Sequence, residues 1–476
     1  MAVLVKNALI FDGSGKPPFK SDILISGQRI ARLGSFSLSS AEKKIDARGQ
    51  MVTPGFIDIN NSSDHYLTLF SETGQTNLLK QGITTIIGGQ AGSSLAPLID
   101  GSLRSIRKWA DPSLINVNWR SVGEFLKVLK QRKLSVNFGT LIGHSTIRRA
   151  LIGEDLRDLT DKELKVFNYL LEMGLSEGAF GFSTGLTYVH SHNTPFQEIE
   201  ILAKTVAKFK AIYATQLRNY GEGLDQAITE TLNLAKKTGV NVEINHFQPL
   251  KDYKENYQKA IVLIEKEKPR ANINFDLTTG EANLIEIYTL LPEWVRHGNL
   301  EIMLRNITTA NIRERILKTL EKYPAEDLTI AQVPAILKFL IGKSIRQFSQ
   351  SQNLKPAEAI LKLMELTQLK AGLWYKNIDQ EVWQQTLFSE NTIIASKEPT
   401  KFLNLNPLEK IIVKITSLPS HKFGIWGRGL IREGYYADLV IFRDNQPSEV
   451  LVNGSLVLEN GEPQKVLAGK VLKHFA

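Results

Sequence analysis

With 476 residues, 42% of them hydrophobic and no cysteine, the chain can build a large core and a smaller one, and it excludes disulfides and thiolate metal ligands. Its net charge of +9 comes from 58 Lys and Arg dispersed among 49 Asp and Glu, as in Glu265-Lys266-Glu267-Lys268, which predicts a solvated surface and no nucleic-acid partner. No apolar stretch approaches the roughly 20 residues of a membrane helix, and the amino terminus alternates like a first strand, so a cytoplasmic protein without a membrane partner is expected.

Residues 1–52 read as short strands separated by turns at Asp12-Gly13 and Ser26-Gly27. Strand patterns return at 437–442 and 449–454, so 1–52 and 420–476 are expected to form one composite β-sandwich domain. The next stretch, Thr53-Pro54-Gly55-Phe56-Ile57-Asp58-Ile59-Asn60, is a short apolar run that turns polar at its end, like the carboxyl end of a buried barrel strand. Alternation along it predicts that Asp58, Asn60 and Ser62 share one inward face. Seven further runs follow, at 84–89, 136–143, 179–184, 212–216, 240–246, 271–275 and 392–396, with helical patterns between them. Alternating βα units argue for an α/β fold with a parallel sheet, and eight such strands close a (β/α)8 TIM-like barrel, here over 53–419. The long gap before the eighth run predicts a helical insertion around 290–375.

Several side chains invite chemistry. His246 ends the sixth run, and its plain reading is a hydrogen-bonded barrel histidine. His144 reads as a polar wall residue. His190 and His192 have the spacing of a metal-binding pair, but in a loop, where spacing does not fix a shared face. Asp64 reads first as a helix cap for 66–67 and second as a carboxylate above Asp58.

In this order, the opening Pro-Gly-Phe-Ile-Asp strand, Gln81-Gly82-Ile83-Thr84-Thr85, Gly143-His144-Ser145-Thr146, Gly181-Phe182-Ser183-Thr184-Gly185, Ala214-Thr215-Gln216-Leu217-Arg218 and Ile244-Asn245-His246 resemble the N-acyl-D-amino-acid deacylases of the amidohydrolase superfamily. The resemblance spans nearly the whole chain. It implies hydrolysis of a non-peptide C–N amide bond by a divalent metal, typically zinc, that polarises the carbonyl and activates water. It also implies departures here. Asn60 and Ser62 stand where the family has His-x-His, Ala91 where it has a metal-binding cysteine, and Gln216 where it has a histidine. His246 alone matches a ligand. Lys397 stands at the catalytic aspartate, Arg218 is kept, and Gln248 replaces a substrate-side lysine. The resulting expectation is a family member without zinc or intact catalytic residues, a pseudoenzyme that binds a small N-acyl amino acid or related anion. The alternatives are a hydrolase of N-acyl or cyclic amides with an atypical or metal-free centre, and a homo-oligomer or regulatory partner of an active paralogue.

Overall fold

Parallel strands lie where the eight apolar runs predict them in the computed structural model, which describes residues 2–37, 41–101, 103–296 and 300–474. They are β1 (Phe56–Asp58), β2 (Ile83–Gly88), β3 (Asn137–Thr140, resuming at Ile142–Gly143), β4 (Gly181–Gly185), β5 (Ile212–Gln216), β6 (Asn241–Ile244), β7 (Ile273–Leu277) and β8 (Thr392–Ile394). The ladder joins β1, β2 and the first part of β3; past the break at Leu141 it continues from β3 through β8 in order. Among the described residues no ladder pair joins β8 to β1. Instead Ile57 and Ile59 meet Ile393 and Ala395 in one apolar cluster with Ile87, Leu141 and Ala214. Strands that far apart in the ladder can share a cluster only inside the curved sheet.

Gly55 shows why Pro54-Gly55 precedes β1: a Cβ there would fall 2.1 Å from Thr84 Oγ1, so only glycine lets the chain pass against β2. The intervening helices start on sequence-encoded caps. Ser121 with Glu124, and Thr160 with Glu163, form capping boxes for the helices Val122–Arg132 and Asp161–Ser176. Each helix buries one stripe, Phe125 and Leu129 in the first, Phe167 and Leu171 in the second, against the strands' outward side chains such as Phe138 and Phe182. Each such side chain contributes roughly 1.5–3 kcal/mol by burial.

Strands from the two termini form one nine-stranded hydrogen-bonded sheet. Leu439–Arg443 lies antiparallel to Met51–Pro54, which pairs in parallel with Ala2–Ile10. Eight of the nine strands follow one path, and Lys43–Asp46 branches from it because Ala2–Ile10 pairs with three neighbours. Its own core holds Val5, Ile10, Ile23, Leu439 and Leu451. The stretch between β7 and β8 is not purely helical either. Asn283–Glu286, Leu328–Gln332 and Gly372–Tyr375 form a three-stranded antiparallel sheet, packed with helices such as Pro356–Leu366 around a further core. Among the described residues, no helix is long and apolar enough to cross a membrane.

Candidate functional site

The barrel mouth begins where β1 stops. The strand ends at Asp58 and the chain bends through 59–60, so the alternation expected to align Asp58, Asn60 and Ser62 on one inward face ends as well. Ile57 and Ile59 take the interior positions. Asp58, buried, accepts the Asn60 backbone N–H at 3.1 Å and Asn61 Nδ2 at 2.8 Å. Freed from the strand, Asn60 crosses the mouth and donates from Nδ2 to Asp276 Oδ2 at 2.9 Å, with His246 Nε2 3.3 Å from the same nitrogen.

Asp276 lies buried on β7. It also accepts Asn245 Nδ2 at 2.9 Å and the His246 backbone N–H at 2.8 Å. Three donors thus occupy a group with about four acceptor positions. His246 adopts a positive φ of 54°, and its side chain is 46% exposed, with Nδ1 4.0 Å from Asp276 Oδ1. That gap exceeds a hydrogen bond. Asp276 therefore fixes the backbone of His246 and not its ring.

Lys397 follows β8 at the rim. The residue is exposed, yet its ammonium is crowded by protein and stands 5.4 Å from the centre of the Tyr66 ring. Burial lowers its pKa, opposed by the charge of Asp58. Asp58 is shifted the other way: burial raises its pKa, while Asn61, Asn60 and Lys397 pull it down and Asp276 adds to the rise. The two groups feel one another without contact, since no ion pair within 4.0 Å joins them.

Other expected site residues are placed as follows. Gln216, at the end of β5, accepts from Thr187 Oγ1 at 3.1 Å. Gln248 donates to Thr278 Oγ1 at 3.2 Å, and its buried Oε1 has no partner. Ala91 is buried in the loop after β2 at φ 52°, its carbonyl against Gly185. Ser62 caps a turn through its carbonyl, which accepts the Tyr66 N–H at 3.1 Å. Asp64 is neither a helix cap nor a mouth carboxylate. The helix Thr68–Ser71 has no side-chain cap, because Asp64 spends its oxygens on the N–H groups of His65 at 2.9 Å and Gly89 at 2.6 Å, pinning the end of β2.

Four residues stand away from the mouth. His144 begins a helix, fully buried against Phe167 and Phe182, and its Nε2 lies 2.7 Å from Glu198 Oε1. Arg218 grips Glu230 through two hydrogen bonds from Nε and Nη2 and holds the carbonyls of His192 and Thr194. It locks the loop after β4. His190 and His192 diverge: His190 Nε2 faces the Gly153 carbonyl, and His192 Nδ1 faces that of Leu186. Burial pushes His190 down to about 2, so it carries no charge at neutral pH.

The site also contains groups that the sequence reading passes over. Asp276 and Asn245 are two. A cavity of about 350 Å³ between the barrel rim and the insertion adds Lys108, Arg149, Tyr188, Glu286 and Tyr288. Lys108 Nζ sits 3.1 Å from the Tyr188 ring centre and 3.9 Å from that of Trp109. Burial lowers its pKa and raises that of Glu286, each partly offset by the other's charge.

Zinc takes three or four histidine, thiolate or carboxylate ligands. Among the described residues no three His, Cys, Asp or Glu side chains gather to hold an ion. Asp276 already accepts three donors, Asn60 and Gln216 are neutral amides, and the Lys397 ammonium repels a cation. The residues present do not fit the metal that the resemblance implies.

No family model matches the chain. It is 26% identical over 458 residues to a D-aminoacylase of Alcaligenes xylosoxydans xylosoxydans, covering 92% of this chain and 87% of that one. An N-acyl-D-aspartate deacylase of the same organism is 29% identical over 477 residues, covering 92% and 85%. A crystal structure of D-aminoacylase, described as defining a novel subset of amidohydrolases, superposes with a TM-score of 0.81 at 25% identity over 99% of both chains. Over nearly its whole length the chain is similar to N-acyl-D-amino-acid deacylases of the amidohydrolase superfamily.

Proposed function

We propose that this chain binds the anion of an N-acyl amino acid in its barrel mouth, without a zinc centre and without hydrolysis. The observation that carries the reading is Lys397, whose ammonium lies at the mouth beside Tyr66 and within the field of Asp58. An ammonium has no lone pair with which to take a proton from water. It is suited to a carboxylate. The half-open His246 ring offers a polar contact to the ligand's amide, and Tyr66 offers apolar cover. Asp276 gives no general base, because Asn60, Asn245 and the His246 N–H already occupy it. We further take 53–419 as one closed barrel, 1–52 with 420–476 as a separate domain, and the cytoplasm as the place of action; positions 1 and 475–476 lie outside the described residues.

Titration calorimetry with N-acetyl-D-amino acids tests the reading alongside a deacylation assay and metal analysis of the same preparation. Binding without turnover is expected, weakened roughly tenfold by Lys397→Ala, the loss of one charge-assisted hydrogen bond. Lys397→Asp restores no hydrolysis, since Asn60, Ser62, Ala91 and Gln216 still stand beside a single histidine, His246. Turnover by the unmodified protein, or one equivalent of zinc resistant to mild chelation, overturns it.

A further inference from the structure

Away from the mouth, a groove of about 1480 Å³ runs between the two-ended sheet and the barrel's outer helix Val122–Arg132, floored by the segment 466–473. None of the mouth residues lines it. Its lining holds seven cationic side chains and no Asp or Glu. Three of the seven are engaged: Lys43 pairs with Glu459 at 3.1 Å, Arg428 with Asp438, and Lys470 with Gln28 and the Tyr436 ring. The other four, Lys127, Lys130, Lys133 and Lys473, are exposed, and among the described residues none forms an ion pair or side-chain hydrogen bond.

Lys127 and Lys130 lie about one turn apart on this helix, and Lys133 follows its end at φ 61°; all three line the groove. Beside them Trp426 is 79% exposed, and Leu126, Leu456 and Leu467 add apolar lining. Like charges around a concavity repel one another, and the low-dielectric walls concentrate their field on whatever enters. The groove thus sets four cations without an ion-pair partner among the described residues beside an open indole, with Glu124 on the same helix offsetting part of the charge of Lys127. A concave cleft accepts an extended chain more readily than a flat bilayer, and a single exposed aromatic is too few for the successive base stacking of single-stranded nucleic acids.

We propose that this groove docks an extended acidic segment of a partner protein, whose carboxylates meet Lys127, Lys130, Lys133 and Lys473 while one of its apolar side chains covers Trp426. Fluorescence anisotropy of the full chain with a labelled glutamate-rich peptide carrying one leucine tests it. Binding that weakens with added salt is expected, with a shift in tryptophan emission that Trp426→Ala abolishes. The triple variant K127E/K130E/K133E weakens binding at least roughly tenfold, and Lys473→Glu, on a separate segment, weakens it independently. Both change exposed side chains, so an unaltered thermal melt shows that each variant is folded. No binding at low salt, or binding that the charge reversals leave unchanged, overturns the proposal. Stronger competition by a single-stranded oligonucleotide, or by phosphatidylserine vesicles, overturns it in favour of that ligand.

Discussion

Asp276 and Glu243 are two interior carboxyls that the fold treats in opposite ways. Asp276 is surrounded by donors, and Asp276→Ala should cost about 2–4 kcal/mol in denaturant unfolding, because Asn60, Asn245 and the His246 N–H are left without an acceptor. Glu243, fully buried on β6, has no partner on either carboxyl oxygen. Burial pushes its pKa well above 4.5, Asp276 reinforces the rise and Lys422 opposes it. Below pH 4.5 native and unfolded chains both hold this proton, and the group costs nothing. Above it the unfolded chain releases the proton while the native state keeps it, so stability falls by about 1.4 kcal/mol per pH unit until the native pKa is reached. Glu243→Gln removes that slope. The variant and the parent should match at about pH 4, and the variant should be the more stable at about pH 8; a variant less stable at both would mean that Glu243 is ionised in the fold.

At the scale of single elements, the loops after the strands are fixed by close backbone approaches. Gly89 follows β2 at φ 75°, and a Cβ there would lie 2.2 Å from the Leu141 carbonyl oxygen. Gly89→Ala should therefore cost about 3 kcal/mol or more, through the combined clash and left-handed strain. It should also detach Asp64 from the Gly89 N–H. Equilibrium unfolding checks the first effect. The insertion has its own apolar cluster, in which Leu361 and Met364 are fully buried. Leu361→Ala should cost about 2–5 kcal/mol, and limited proteolysis should then cut first between β7 and β8, with the barrel strands spared. Cleavage spread evenly over the chain would show that the insertion does not loosen as a unit.

Across the whole molecule, stability rests on four apolar clusters: one inside the curved sheet, one between strands and helices, one in the insertion and one in the terminal sheet. Among the described residues each is packed from apolar side chains. Chelators unfold proteins whose folding free energy includes metal binding. Here the melting temperature should be unmoved by chelator and by added zinc alike; a drop of several degrees on chelation would show an ion in the native state.

The sequence by itself determined the eight strands, because each is a local run of apolar residues bounded by turn formers, and all eight lie where those runs predict. It also determined which residue types stand at the strand ends, since Asn60, Gln216 and Lys397 are read directly. Tertiary structure decided which of these side chains meet. Alternation carried Asp58, Asn60 and Ser62 onto one face, but β1 ends at Asp58, and a periodicity argument has no force once the strand stops. Asp276 escaped the reading because its apolar run seemed to close at Phe275, whereas the ladder continues to Leu277, and extension of that kind depends on a neighbour, β8, more than a hundred residues away. His144 and Arg218 looked like site residues by motif and turn out to hold loops, because Glu198 and Glu230, their partners, are brought to them only by packed helices. The groove was only half legible: Lys127, Lys130 and Lys133 form one basic run along the chain, but only the packing of that segment against both ends of the polypeptide brings Lys473 and Trp426 beside them.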